Sequence, residues 1–369
     1  MKNEQHPSAL LQPDWVKIIR AEAFAAEDAG MLQPKQLELM YEQQWLKMLV
    51  PKAYGGLELD LPAQIRMEEA LSWADGSFGW VVTLCAGACW FGGFIDAVAA
   101  IEIFTNTKVC LAGSGASTGT AQRTNDGFIL NGHWKYASGV KHATHFTANC
   151  IIQENGKDVL LADGSPLVLS FVIDANAAAL VPAWKYIGMM GTGSHAFTLN
   201  NVGVPANRSF EITPNTTVVN TPLYRYPFFQ LAEATLAANL AGMALHFVDL
   251  CDVAFANKLA ESKRMSEGNK VTLMNDLQKV KDNLQSLRNE FYEAVDTSWY
   301  AGLSEEIIPG EILQRVSRTS RLLAHAARES VDHLYPYCGL QAASPDTEIN
   351  QVWRDLHTAS QHALLSFLE

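Results

Sequence analysis

The chain has 369 residues, more than one hydrophobic core usually serves, so two or three packed units are expected. With 48% hydrophobic and 18% charged residues it has ordinary globular composition, which excludes a disordered chain. A net charge of -12 without a segregated basic stripe argues against a nucleic-acid partner, although a few local Lys and Arg residues would still admit an anionic coenzyme.

The first residues, MKNEQHPSALLQPDW, lack a basic stretch followed by an apolar one, so no secretory signal is expected and the cytoplasm is the expected compartment. From about residue 14 to 105 the pattern is helical. Phe24, Met31, Leu37 and Met40 recur at helical spacing, and Pro62 opens a new helix after the turn at Tyr54-Gly55-Gly56. The uncharged run from Gly76 to Ile95 is long enough to cross a bilayer. Its five glycines and the absence of a basic flank favour a buried helix or helix pair, so no membrane is expected as a partner. The six cysteines are scattered without a CxxC pair and are expected to be buried thiols.

Near Val109 the character changes to short β-branched and aromatic runs separated by turn residues. Asn131-Gly132 and Asn155-Gly156 each predict a tight hairpin, and Asp163-Gly164-Ser165-Pro166 a further turn before LVLSFVI. After Pro222 the helical period returns. One helix is expected over about Phe228–Asn257, with Gly242 placed for close helix contact. Leu273 to Ser298 and Leu313 to Leu334 carry two more, and a last one is expected to begin near Ser344-Pro345. The expected fold is therefore α+β and mostly α: an N-terminal helical domain (1–108), a middle antiparallel β domain (109–210) and a C-terminal four-helix bundle (222–369).

That order of parts carries a set of strings. LVPKAYGGLELD and EEALSWADGSFGW lie in the first part, DGFILNGHWKYASG and GMMGTGSHAFTLNNVGVP in the second, and WRDLHTASQH near the end. In this arrangement the chain resembles the acyl-CoA dehydrogenase superfamily over nearly its full length. The string ASTGTAQRTNDGF, the serine of YASG and WRDLHTASQH are similar to the two-component flavin monooxygenases of that superfamily. The resemblance implies a flavin-dependent oxidoreductase: the oxygenase component that hydroxylates a small, often aromatic substrate through a flavin C4a-hydroperoxide. It implies flavin (FAD or FMN) supplied reduced by a separate flavin reductase, and a homo-oligomer, either tetramer or dimer.

The resemblance also assigns residues. Tyr136 falls where the family sets an aromatic side chain against the isoalloxazine, and Ser138 where a hydroxyl bonds the ring's N5 atom. A hydroxyl suits N5 because it can donate or accept as the ring changes redox state. From spacing alone, Ser138 also fits a plain turn serine before Gly139. Ser114 and Thr120 keep the hydroxyl positions of the family's flavin-binding loop, which reads equally as an ordinary Gly-Ser loop.

Dehydrogenases of the family remove an α-proton with a glutamate. At one known register, counted from Arg354-Asp355, this chain has Ala363, and at the other Ala232 with Glu233 beside it. His362 stands instead where the monooxygenases direct a histidine at the substrate, one turn after Thr358, and alternatively fits a helix-end histidine. His142 is a second candidate pocket residue. Its partner His145 raises a metal pair, but no acidic or cysteine residue stands at ligand spacing, so no metal is expected. The family's contacts to the adenosine end of FAD are reduced to Arg264 through Gly268 and Tyr337 through Leu340, which leaves FMN open. Two rival readings remain: an acyl-CoA dehydrogenase using Glu233, and a non-catalytic binding member of the fold.

Overall fold

The computed structural model describes residues 3–261, 265–304 and 307–368; Arg264 lies outside them. The N-terminal part holds α1 (Pro13–Ala21), α2 (Ala23–Ala29), α3 (Pro34–Glu42), α4 (Leu61–Ala74), α5 (Gly76–Cys89) and α6 (Ala97–Phe104). Phe24 through Met40 is not one helix. Gly30 takes a left-handed φ of 59°, ends α2 and leaves Phe24 at 39% exposure. α4 begins as expected: the Asp60 carboxylate accepts from the Ala63 amide at 2.8 Å, with Pro62 in the first turn. The uncharged run after Gly76 is the buried α5, capped by Asp75.

Eight strands follow: β1 (Leu111–Arg123), β2 (Gly127–Trp134), β3 (His145–Glu154), β4 (Lys157–Asp158), β5 (Val168–Asp174), β6 (Ala179–Val181), β7 (Ala196–Pro205) and β8 (Ser209–Phe210). Their order is β6-β7-β2-β1-β3-β5-β8, with β4 attached to β3. All pairs are antiparallel except β1 with β3.

Asn155-Gly156 makes the expected tight turn, both residues at positive φ (53° and 74°). Asn131-Gly132 does not. It lies inside β2 at a register shift against β7, and a Cβ on Gly132 would come within 2.7 Å of the Gly119 Cα. The glycine serves close strand approach, and the chain turns instead before Gly127, where the Thr124 amide donates to the Gly127 carbonyl at 2.9 Å. The sheet has its own core, in which Phe197 stacks between Trp134 and Phe146.

The C-terminal part contains the short α7 (Pro222–Arg225), then α8 (Phe228–Glu261), α9 (Glu267–Ser304), α10 (Gly310–Leu334) and α11 (Glu348–Ala359). α11 starts three residues beyond Pro345, after a turn in which the Thr347 amide donates to the Ser344 carbonyl. The 34-residue α8 is long and apolar enough to cross a membrane, yet 89% of its apolar window is buried inside the protein. It is the central helix of the bundle. Gly242 lets it approach α4 closely: a Cβ there would meet the Glu69 carbonyl oxygen at 2.3 Å. One apolar core consequently runs through the N-terminal helices and the bundle together.

Candidate active site

Where the sheet, α5 and the end of α11 meet, a cavity of about 660 Å³ opens. Trp80 and Leu84 come from α5, and Tyr136 and Ser138 from the segment after β2. Trp184 to Ile187, Met189 and Ser194 come from the segment between β6 and β7. His357 to Ala359 and Gln361 to Ala363 come from α11 and the turn beyond it. No Asp or Glu occurs among the described lining residues; the charged or titratable groups are Lys185, His357, His362 and two tyrosines.

Backbone pairing fixes the wall that holds Ser138. The Ala137 amide donates to the His195 carbonyl at 3.0 Å, and the Gly139 amide to the Thr192 carbonyl at 2.9 Å. Gly139 takes φ 72°, and a Cβ there would come within 2.7 Å of the Cys85 sulfur. Ser138 is buried. Its Oγ accepts from the Trp80 indole N–H at 3.2 Å and lies 2.8 Å from the Ser194 Oγ. Tyr136 takes φ 65°, a conformation costly for an aromatic residue. Its hydroxyl lies 3.3 Å from that of Tyr186, and its ring meets Trp184 edge-on, forming an aromatic corner.

The opposite wall is docked by polar contacts. The Trp184 indole N–H donates to the Met189 carbonyl at 3.0 Å, the Met189 amide donates to the Asp355 carboxyl, and Arg354 donates to the Ile187 carbonyl at 2.7 Å. Burial and the neighbouring Asp75 hold the Asp355 carboxyl well above the usual range. His195 Nδ1 accepts from the Ala183 and Trp184 amides, and burial lowers its pKa.

His362 lines the cavity with its ring edge-on to Trp80 at 6.1 Å. Its Nδ1 accepts from the Leu364 amide at 3.4 Å, which leaves the hydrogen of the neutral ring on Nε2. Burial pushes its pKa down. Tyr136, Ser138 and His362, three of the six predicted site residues, therefore share one cavity, with Thr358 beside them.

The other three do not line it. His142 is a structural acceptor: its Nε2 takes the Leu32 amide at 3.1 Å, and burial, with Lys141 adjacent, lowers its pKa to about 4. His145 pairs separately with Asp174 at 3.0 Å, and no group of three His, Cys, Asp or Glu able to hold a metal occurs among the described residues. Ser114 and Thr120 are on β1. Between Ser114 and Gly119 the register against β3 shifts, and residues 115–118 are thrown into solvent. Thr118, not Thr120, reaches across to donate to the His133 carbonyl at 2.7 Å.

Glu233 is buried outside the cavity in an ion pair with Arg321 at 2.6 Å, whereas Ala363, at the other base register, faces the cavity. Sequence reasoning missed Trp80, Trp184, Tyr186 and His357. His357 sits on the cavity wall with Nε2 2.8 Å from Asp332 and Nδ1 2.7 Å from the Trp353 carbonyl. Nothing in local spacing sets these residues apart from ordinary core aromatics and helix-end histidines.

The acyl-CoA dehydrogenase N-terminal domain pattern matches residues 17–94 and the C-terminal domain pattern residues 234–367, together more than half of the chain. The chain belongs to the acyl-CoA dehydrogenase superfamily. Among members, it is 25% identical over 362 residues to the flavin-dependent monooxygenase oxygenase subunit HsaA of Rhodococcus jostii (strain RHA1), covering 94% of this chain and 91% of that one. It is 26% identical over 321 residues to indole-3-acetate monooxygenase of Pseudomonas putida, covering 86% and 80% respectively. The crystal structure of 3-HSA hydroxylase from Rhodococcus sp. RHA1 superposes with a TM-score of 0.89 at 21% identity, over 98% of this chain and 94% of that one. XiaF from Streptomyces sp., solved with FADH2 and glycerol, gives 0.82 at 23% identity, over 97% and 93%. Of these, the Rhodococcus jostii subunit is named a flavin-dependent monooxygenase and XiaF was solved with FADH2, and the fold is shared along essentially the whole chain.

Proposed function

We propose that the protein is the oxygenase component of a two-component flavin monooxygenase that hydroxylates a small aromatic substrate. The observation that carries this reading is a cavity whose described lining residues include no carboxylate, with alanine at the register where a dehydrogenase of this superfamily keeps its base. Without a carboxylate to take an α-proton, acyl-CoA oxidation lacks its first step. The volume and the aromatic, mostly apolar wall fit a tricyclic ring with a small molecule beside it. Ser138 would meet the ring's central nitrogen, and Tyr136 would cover the ring. Ser114 and Thr120 are left for the ribityl-phosphate tail, and FAD and FMN both remain compatible with these residues.

Reduced flavin, when bound, supplies the electrons that activate dioxygen for insertion of one oxygen atom into the substrate. The chain's own residues do the rest. Trp80 and Trp184 give the reacting centre an apolar wall that limits its access to water. His362, neutral through burial and with its hydrogen on Nε2, donates to the substrate's polar group and orients it. The reading carries with it a separate flavin reductase, a cytoplasmic setting and a homodimer or homotetramer. The assembly is supported by strongly exposed apolar side chains such as Ile307 (82%) and Leu340 (90%).

The test supplies chemically reduced FMN or FAD, oxygen and a panel of phenols and indoles to the purified protein. Hydroxylated product is expected, and His362→Asn should lower its formation about a hundredfold while flavin affinity stays within a factor of two or so. No product across the panel, or bleaching of bound oxidised flavin by an acyl-CoA without oxygen, would overturn the reading.

A further inference from the structure

Ser138 is the first of three buried hydroxyls in a row. Its Oγ lies 2.8 Å from that of Ser194, which lies 2.6 Å from that of Thr192, and the Thr192 hydroxyl donates to the Met189 carbonyl at 2.7 Å. The three residues are at most 5% exposed. The two ends of this row have no freedom. An indole N–H can only donate, and the Trp80 N–H gives its hydrogen to Ser138; a carbonyl can only accept, and Met189 takes the hydrogen of Thr192. With its own hydrogen committed, Thr192 must accept from Ser194, and Ser194 in turn must accept from Ser138. Four hydrogens fill four bonds, all pointing from Trp80 toward Met189. What Ser138 has left for a ligand is one lone pair.

We propose that Ser194 and Thr192 are positioning residues that select the redox form of the flavin by fixing Ser138 as an acceptor. This inference rests on the placement of the flavin's central nitrogen at Ser138. The reduced ring carries a hydrogen on that nitrogen and satisfies the Ser138 lone pair. The oxidised ring presents a lone pair there and meets another lone pair. The site thereby favours reduced flavin and disfavours the oxidised flavin left after turnover, through hydroxyls that act on the ring by way of Ser138.

Breaking the row at different points has different consequences, which separates this role from a merely structural one. In Thr192→Val, the Ser194 hydrogen loses its acceptor and turns to Ser138. Ser138 then accepts twice and points its own hydrogen into the cavity, toward an oxidised ring. Ser194→Ala frees the same hydrogen directly. Thr192→Ser keeps the row intact.

The experiment titrates FMN and FAD, each oxidised and dithionite-reduced, anaerobically into the wild type and these three variants, with circular dichroism to verify folding. The wild type and Thr192→Ser are expected to bind the reduced form at least about tenfold more tightly. Thr192→Val and Ser194→Ala should bring the two forms to parity or invert them, since one unsatisfied buried polar contact is worth about one to two decades in affinity. An unchanged ratio in both breaking variants, or equal binding of the two forms by the wild type, overturns the selection role and leaves the flavin site standing. Failure of every form to bind overturns the site itself.

Discussion

At the scale of single residues, Tyr136, Ser138 and His362 converge on one cavity from segments more than 200 positions apart in the chain. Ser138 and Tyr136 follow the Trp134 end of β2, and His362 closes the segment that begins at Arg354; the resemblance of those strings, not counting alone, singled them out, and all three line the cavity. His142 shows where counting stops. A histidine beside a glycine turn reads the same whether it faces a ligand or accepts a backbone amide 110 residues away, and only the fold brings Leu32 to it.

Glu68, by contrast, was silent in the sequence. It is fully buried, accepts one hydrogen bond from the Gln64 amide nitrogen at 2.7 Å, and leaves its second oxygen without a partner. Burial raises its pKa to about 8 from an ordinary 4.5, against the smaller opposing pull of Gln64. Between those values the native state holds a proton that the unfolded chain releases. This contribution to stability is therefore complete below about pH 4.5 and is lost as pH rises through 8. Glu68→Gln should match the wild type near pH 5 and exceed it in melting temperature at pH 9; a constant difference across that range would refute the assignment.

At the scale of elements, helices were easier to place than turns. A 3.6-residue period sustained over α9 or α10 survives a few misplaced residues, and most of the apolar positions on that period are buried. The Asn131-Gly132 pair was misplaced because two opposite demands, a positive φ in a turn and an absent Cβ where strands crowd, select the same amino acid. Gly188 answers the second demand at the site. A Cβ there would lie 2.1 Å from the Arg354 carbonyl oxygen, so only glycine lets the loop carrying Trp184 and Met189 dock on α11. Gly188→Ala should destabilise the protein by about 2 kcal/mol or more and weaken flavin binding in parallel, because the backbone it meets cannot yield. Thermal unfolding and flavin titration on the same sample check both.

At the scale of the whole molecule, the order of helical, strand and helical segments was readable from composition and period, but the union of its two helical ends was not. That union depends on the close approach at Gly242 and on Arg288 of α9, whose guanidinium holds the Glu69 carboxylate of α4 through two bonds of 2.7 and 2.8 Å. Both side chains are almost completely buried. Removing one partner leaves the other charge in the core, so Arg288→Met alone should cost about 3–5 kcal/mol. The double change with Glu69→Leu should cost less than the sum of the single ones, as denaturant titration of the four proteins will show.

The cavity draws its walls from Trp80, from the stretch around Ser138, from the segment ending at Ser194, and from residues as late as Ala363. No single stretch of chain can hold a ligand there, because each supplies one wall and the folded whole supplies the space. Occupancy of the cavity is thus linked to the cooperative state of the entire chain: whatever fills it raises the midpoint of global unfolding, with no separate, earlier transition for any one layer. A nascent or partly melted chain accordingly has no means of capturing a reactive cofactor before it can shield one.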